Sequence, residues 1–455
     1  MPRTRSRTPA KVLILGGGYV GLYVAWGLER HQPQTPMEIT VVEPRAYMTY
    51  QPLLPEVAGG HVDPRNVTVD LRQALKYSTV LRGSVTGLDT AAKRATVSLV
   101  SGEEQELAYD HVVVAMGAVT RTFPTPGLAD SGIGFKTVEE AVWTRNRVLV
   151  NVAAAAATDD PAERARLLTF VFVGGGYTGV EALAELSDLS KKAIAVYPEL
   201  RGERPHWVLV EALDRVAPEV GPELSQWSLT EFRDRGIDVR LKTTLNSCED
   251  QVAVLSDGDE IPFGMLVWTA GVQPNPVLDA FDVPRGPKSH IVANSRLQVA
   301  REDGSWIEGV WAAGDIAQVP DQMSPKQPAY YPPNAQNAVR QAGLLAESIP
   351  KSIRGRKVRE YRHINLGTVA SYGLLHGAAN IRGIQLKDTL AWLAHRGYHV
   401  AVMPTFDRKV RILAGWVADA IGRIDLTPTD DTEDPRRDFA EAANAAADAA
   451  AKKAA

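Results

Sequence analysis

Two stretches decide the fold: Val12-Leu13-Ile14-Leu15-Gly16-Gly17-Gly18-Tyr19-Val20-Gly21 and Phe170-Val171-Phe172-Val173-Gly174-Gly175-Gly176-Tyr177-Thr178-Gly179. Each reads as an apolar strand, then G-x-G-x-x-G, then an apolar helix. The first glycine of such a run permits the tight strand-to-helix turn. The second leaves room for a pyrophosphate beside the backbone, and the third lets the helix pack closely on the strand. The pyrophosphate then lies on N–H groups at the positive end of the helix dipole. One such run is a weak signal; two, each between a buried-type strand and an apolar helix, predict two dinucleotide sites in one chain.

An acid at the end of the next strand, roughly 20 residues on, holds a ribose hydroxyl pair in such units. Ile39-Thr40-Val41-Val42 ends in Glu43, and Trp207-Val208-Leu209-Val210 ends in Glu211. An acid there also repels a 2′-phosphate, so Glu211 favours NADH over NADPH; Arg215, four residues on, is the residue that could reverse this.

The strand-like run ending Val112-Val113-Val114-Ala115-Met116-Gly117 leads into a small-residue turn. Phe123-Pro124-Thr125-Pro126-Gly127 then reads as a proline-rich crossing, a hinge. Leu266-Val267-Trp268-Thr269-Ala270-Gly271 and Gly309-Val310-Trp311-Ala312-Ala313-Gly314-Asp315 repeat the strand-and-turn pattern. The second suggests a return to the first unit. The expected class is α/β, with two Rossmann-like domains, the second inserted in the first, and a C-terminal helical region. The expected segments are 10–130 and 266–350 for the first dinucleotide domain and 131–265 for the second. A membrane-associating or dimerisation region follows at 351–427. An acidic, then alanine-rich tail occupies 428–455 and is assigned no chemistry.

At 455 residues the chain is too long for one core. A net charge of −4 gives no case for nucleic-acid binding. No stretch reaches the roughly 18 apolar residues that span a bilayer. Arg3, Arg5 and Arg7 resemble the start of a signal peptide, but the apolar run after them is the glycine-motif strand and no cleavage site follows. The expected place is therefore the cytoplasm. The single cysteine, Cys248, excludes a redox disulfide within the chain and a zinc cluster of the usual ligand set, so no metal site is expected.

These pieces resemble the two-dinucleotide-binding flavoproteins related to glutathione reductase. More narrowly, Tyr50-Gln51-Pro52-Leu53-Leu54-Pro55, Gly179-Val180-Glu181 and Pro333-Asn334-Ala335-Gln336-Asn337-Ala338-Val339-Arg340-Gln341 are similar to the type II NADH:quinone oxidoreductases. That resemblance implies FAD at the first site, through Gly16, Gly18, Tyr19, Val20, Gly21, Glu43, Ala115, Gly117 and Asp315. It implies NADH as substrate at the second, through Gly174, Gly176, Gly179, Glu211 and Gly271. Gln51 and Pro52 would lie against the flavin ring, where disulfide reductases carry their cysteines. Glu181 would lie near nicotinamide and flavin.

The family's A-Q-x-A-x-Q quinone motif is matched by Ala335, Gln336 and Ala338, but Arg340 stands at the second glutamine and Gln341 follows one place later. Gln336, Arg340 and Glu181 are the implied catalytic residues, with Glu181 or His363 as proton source. Menaquinone or ubiquinone is the implied acceptor. A membrane quinone requires access to a bilayer, and the resemblance implies a protein held peripherally on the cytoplasmic face of the cell membrane. Leu386, Leu390, Leu393 and Gly397, then Val410, Leu413, Trp416, Val417 and Ala420, recur at helical spacing beside Arg408, Lys409, Arg411 and Arg423. That suits a helix in the headgroup plane; a helix packed on its own domain or across a homodimer has the same pattern. Three other readings keep both glycine motifs: a soluble reductase of ferredoxin or rubredoxin, a flavin- and NADH-binding sensor with little turnover, and a nucleotide-binding scaffold without flavin.

Overall fold

The computed structural model describes residues 8–422 and 424–429. Arg3, Arg5, Arg7, Arg423 and nearly all of the acidic and alanine-rich tail lie outside them.

The two glycine motifs open two sheets that share a parallel five-strand arrangement, the first with Gln298–Ala300 added antiparallel at its edge. In the first, Ala10–Leu15 lies between Met37–Val42 and His111–Val114, with Thr79–Leu81 beyond the former and Trp306–Ala312 beyond the latter, all parallel. In the second, Thr169–Val173 lies between His206–Glu211 and Met265–Trp268, with Ile237–Leu241 and Gly132–Ile133 outside them, again all parallel. Each unit carries a three-stranded antiparallel insert before its last motif strand: Gly83–Asp89, Arg94–Leu99 and Glu104–Ala108 in the first; Leu245–Ser247, Val252–Leu255 and Glu260–Pro262 in the second. The strands are buried on both faces, as helix-covered parallel sheets require; Phe170 stacks on Trp207 with ring centres 4.6 Å apart.

Ala118–Thr120 and Val272–Pro274 pair antiparallel where the chain crosses between units, and Trp306–Ala312 returns to the first sheet. The expected boundary after residue 265 cuts through Met265–Trp268, which belongs to the second sheet.

Why these turns need glycine is visible at the motif. Gly16 has φ +103°, and a Cβ there would lie 2.5 Å from the Ala115 carbonyl oxygen. A Cβ at Gly21 would lie 1.9 Å from the Gly16 carbonyl oxygen, and one at Gly179 would lie 2.0 Å from that of Gly174. The third glycine of each copy thus sets the close helix–strand packing expected of it.

Helix Ala335–Ile353 packs along helix Tyr19–His31, close enough that a Cβ at Gly27 would lie 2.3 Å from that of Ala346. Beyond it the C-terminal region begins as a sheet, Gly367–Ser371, Gly377–Ile381 and Ile384–Lys387, covered by helix Asp388–Val402 and followed by helix Phe406–Ile421. The helical spacing expected from Leu386 onward therefore starts one element too early. Leu386 is in the last strand, and the helix begins at Asp388. Arg382 and Gly383, both at positive φ (52° and 90°), turn the hairpin before it.

Candidate functional site

Each motif is braced by the acid found two elements later. Glu43 Oε2 accepts from the Gly17 N–H at 2.8 Å and Oε1 from the Arg45 N–H at 3.3 Å. Glu211 Oε2 accepts from the Gly175 N–H at 2.6 Å and Oε1 from the Leu213 N–H at 2.7 Å. Arg215 is engaged by its neighbour Asp214 at 2.7 Å and does not line the cavity described next.

Both motifs open onto one cavity of about 1610 Å³. Gly16, Gly18, Tyr19, Val20, Glu43, Gln51, Pro52, Ala115, Gly117 and Asp315 line it from the first unit; Gly174, Gly176, Glu181, Glu211 and Gly271 line it from the second. Gly21 and Gly179 lie behind it, as their packing role requires. Gln336 also lines it, and its Nε2 donates to the Gly367 carbonyl at 3.2 Å, joining the start of its helix to the C-terminal sheet.

Arg340 is not brought to the cavity. Its guanidinium lies on the ring of His363, 3.2 Å from Nε2, and reaches the Ile364 carbonyl at 3.5 Å. Burial, then Arg340 itself, holds His363 below the usual histidine range. Gln341 points inward and accepts from the Gly314 N–H at 2.7 Å, fixing the turn that presents Asp315. Gln51 donates to the Lys136 carbonyl at 3.2 Å, tying the Tyr50–Pro55 segment to the entry of helix Val138–Ala157.

The first cradle fits FAD. A Cβ at Gly18 would meet nothing within 4 Å, so the approach to the helix N-terminus is open. The Asp315 carboxylate makes no hydrogen bond among the described residues. Burial raises it above the ordinary carboxylate range, against Lys136 and His290. The buried Tyr19 hydroxyl has no partner among the described residues. An open phosphate seat with an unsatisfied carboxylate is what a flavin's pyrophosphate and ribityl hydroxyls would complete. Cys248 is buried, its Sγ lies 3.5 Å from the Pro126 carbonyl, and burial raises its thiol.

Glu181 and His399 line the cavity; sequence reasoning named Glu181 but missed the titratable groups joined to it, His395, His399 and Tyr50. Glu181, nearly buried, accepts from the Ser371 N–H at 2.8 Å and faces His395 Nε2 at 3.4 Å. His395 packs against His399 with ring centres 4.3 Å apart, and His399 Nδ1 meets the Tyr50 hydroxyl at 2.8 Å. Burial, then His395, holds His399 well below the usual range, so it is neutral. The available signal was the pair His395 and His399, four apart on one helix face; nothing local joins them to Tyr50 or Glu181. Behind this row, Glu185 is pushed well above the carboxylate range by burial and by Glu56, and His61 lies between Glu185 (3.6 Å) and Asp419 (3.0 Å).

Two dinucleotide cradles sharing a cavity, with a single cysteine in the chain, define a flavin- and pyridine-nucleotide-dependent oxidoreductase without a disulfide relay. The comparisons place it more narrowly. The chain belongs to the pyridine nucleotide-disulphide oxidoreductase family, whose pattern matches residues 10–342. It is 26% identical to the type II NADH:quinone oxidoreductase of Mycobacterium tuberculosis over 96% of this chain and 94% of that one. It is 27% identical to the demethylphylloquinone reductase of Synechocystis over 90% and 96%. In three dimensions it is similar to NDH2 of Plasmodium falciparum in complex with NADH, with a TM-score of 0.82 at 17% identity over 92% of this chain and 100% of that one.

Proposed function

We propose that this chain oxidises NADH through FAD and passes two electrons to a quinone, as a non-proton-pumping respiratory NADH dehydrogenase held on the cytoplasmic face of a membrane. The observation that carries this reading is the single cavity onto which both glycine cradles open. FAD, when bound, supplies a group that accepts a hydride from reduced nicotinamide and gives two electrons onward. Glu43 and Glu211 brace the two glycine loops and favour the unphosphorylated ribose. Asp315 holds the flavin side. The segment Gln51–Pro55 and Gln336 wall the space in which donor and acceptor meet.

The balance is NADH, one proton and quinone giving NAD⁺ and quinol. Glu181 and His399 line that space, with His395 and Tyr50 behind them, and Glu181 is placed to take and give the proton. Arg340, turned to His363, positions the Gln336 helix and does not touch the acceptor.

The membrane reading rests on the last two helices. Leu390, Leu393 and Tyr398 on one, and Phe406, Val410, Leu413, Val417 and Ile421 on the other, are exposed, with Arg411 exposed among them. Trp416 is turned inward. Among the described residues no helix is long and apolar enough to cross a membrane. An exposed apolar face of this extent on a quinone reductase is suited to the headgroup plane, at the edge of the bilayer that holds its substrate.

The test is an anaerobic absorbance trace. NADH should bleach a flavin band near about 450 nm, and a short-chain menaquinone or ubiquinone should restore it. Bleaching without recovery would leave the NADH half standing and overturn the quinone; a colourless protein would overturn both.

A further inference from the structure

The two copies of the motif differ at the second glycine of G-x-G. The first cradle is open at Gly18, but a Cβ at the equivalent Gly176 would lie 3.6 Å from Glu219 Oε1. Glu219 sits in the turn Pro218–Val220, entered through Ala217 in the left-handed region (φ 43°), whose N–H donates to the Gly175 carbonyl at 2.7 Å. That bond fixes the turn to the glycine loop itself. Helix Tyr177–Ile194 has neither a side-chain cap nor an acid in its first turn. The Glu219 carboxylate supplies that negative charge from outside the helix, favoured by the Tyr177 N–H.

The surroundings do not neutralise it. Glu181 and Glu211 are the charged groups that face it, with the phenols of Tyr177 and Tyr372 beside it. Thr368 donates to its backbone carbonyl, not to its carboxylate. Among the described residues, the only lysine and arginine lining the cavity are Lys136, beside Asp315, and Arg45, beside Glu43, both on the side of the first motif. A pyrophosphate entering the second cradle therefore meets backbone N–H groups and three acids.

We propose that Glu219 is a built-in occupant of the pyrophosphate seat at the second motif: its carboxylate holds the anion position when no dinucleotide is bound and must swing out, or take up a proton, when one binds. The inference rests on the NADH reading of that cradle. Its cost to binding is like-charge repulsion against a phosphate pair. Its benefit is turnover, since the returning carboxylate competes with oxidised product for the Tyr177 N–H. Desolvation by the surrounding protein, then Glu181, raises the Glu219 carboxyl above its ordinary range, although the side chain still reaches solvent. Wild-type affinity accordingly rises as pH falls toward that range.

The experiment uses flavin-loaded protein and calorimetric titration with ADP-ribose, which carries the pyrophosphate but no reactive nicotinamide. E219Q should bind about tenfold more tightly than wild type at about pH 7.5 and nearly equally at about pH 5.5. E219A should follow it. Equal affinity at the higher pH, parallel pH profiles, or weaker binding by E219Q would overturn the proposal, the last making Glu219 a ligand of the dinucleotide. Failure of wild type and both variants to bind either ADP-ribose or NADH would instead remove the NADH assignment, and this inference with it.

Discussion

The indole N–H of Trp416 donates to Glu56 Oε2 at 2.6 Å, joining the last helix to a carboxylate that is 1% exposed. Arg396 reaches the same oxygen at 3.2 Å, its guanidinium between the rings of Trp392 and Trp416 at 4.2 and 4.5 Å. The other Glu56 oxygen is buried with no hydrogen-bond partner among the described residues. The apolar outer face of helix Phe406–Ile421 is thus free because its inner face is fastened by polar contacts.

Trp416→Phe keeps the ring beneath Arg396 and deletes one hydrogen bond to a buried carboxylate, at a cost of about 1–3 kcal/mol. The expected outcome is faster proteolysis within residues 406–421, with NADH oxidation by a soluble acceptor retained. Unchanged cleavage would mean that the remaining contacts, among them Asp419 with His61 and the buried Ile412, suffice to fasten the helix.

Leu413 and Val417 are 47% and 60% exposed on the outer face. Burying such a side chain is worth about 1.5–3 kcal/mol, so Leu413→Glu with Val417→Glu should weaken co-sedimentation with anionic vesicles by at least about tenfold. Reduction of ferricyanide should be unaffected. A variant that stays on vesicles but changes oligomeric state in light scattering would assign the face to a homodimer.

Much of this was legible because it is local. The glycine turns, and Glu43 and Glu211 at the strand ends, depend on neighbours within one βαβ unit, and both acids do bond the glycine loops. The repeat of the antiparallel insert was not read, since short half-buried strands such as Glu260–Pro262 carry little periodicity. The C-terminal sheet was missed for a different reason: apolar spacing across Leu386, Leu390 and Leu393 outweighed the Arg382-Gly383 hairpin turn. Arg340 follows Gln336 by one helical turn and shares its face, yet its longer side chain swings to His363. The meeting of Tyr50 with His399 joins residues 349 apart, which no local pattern reports.

Acid should destabilise the fold through its buried neutral histidines. Burial lowers His61 and His111, and lowers His399 well below the usual range. The unfolded chain binds protons at these positions near about pH 6.5 and the folded one does not. Their contribution is therefore complete above that pH and is lost as pH falls below it, by about 1.4 kcal/mol per unit per histidine. Glu43, Glu185 and Asp315, raised by burial, act in the opposite sense, losing stability as pH rises through their folded values. A difference measurement separates the two: the melting temperature of His399→Gln should fall less than wild type between about pH 7 and pH 5.5. Parallel curves would show that His399 titrates normally.

Glu181→Gln isolates the proton step. The amide oxygen can still accept from the Ser371 N–H that Glu181 Oε1 meets at 2.8 Å, so the side chain stays in place opposite His395. What it loses is the ability to release a proton. Hydride transfer from NADH needs positioning and no acid. In anaerobic stopped flow, flavin reduction should therefore stay within about threefold of wild type, while reoxidation by quinone slows about a hundredfold or more, the usual scale for a lost general acid. Equal rates in both half-reactions would remove Glu181 from the proton path. A slow first half-reaction with a normal second would make it a nicotinamide-positioning residue.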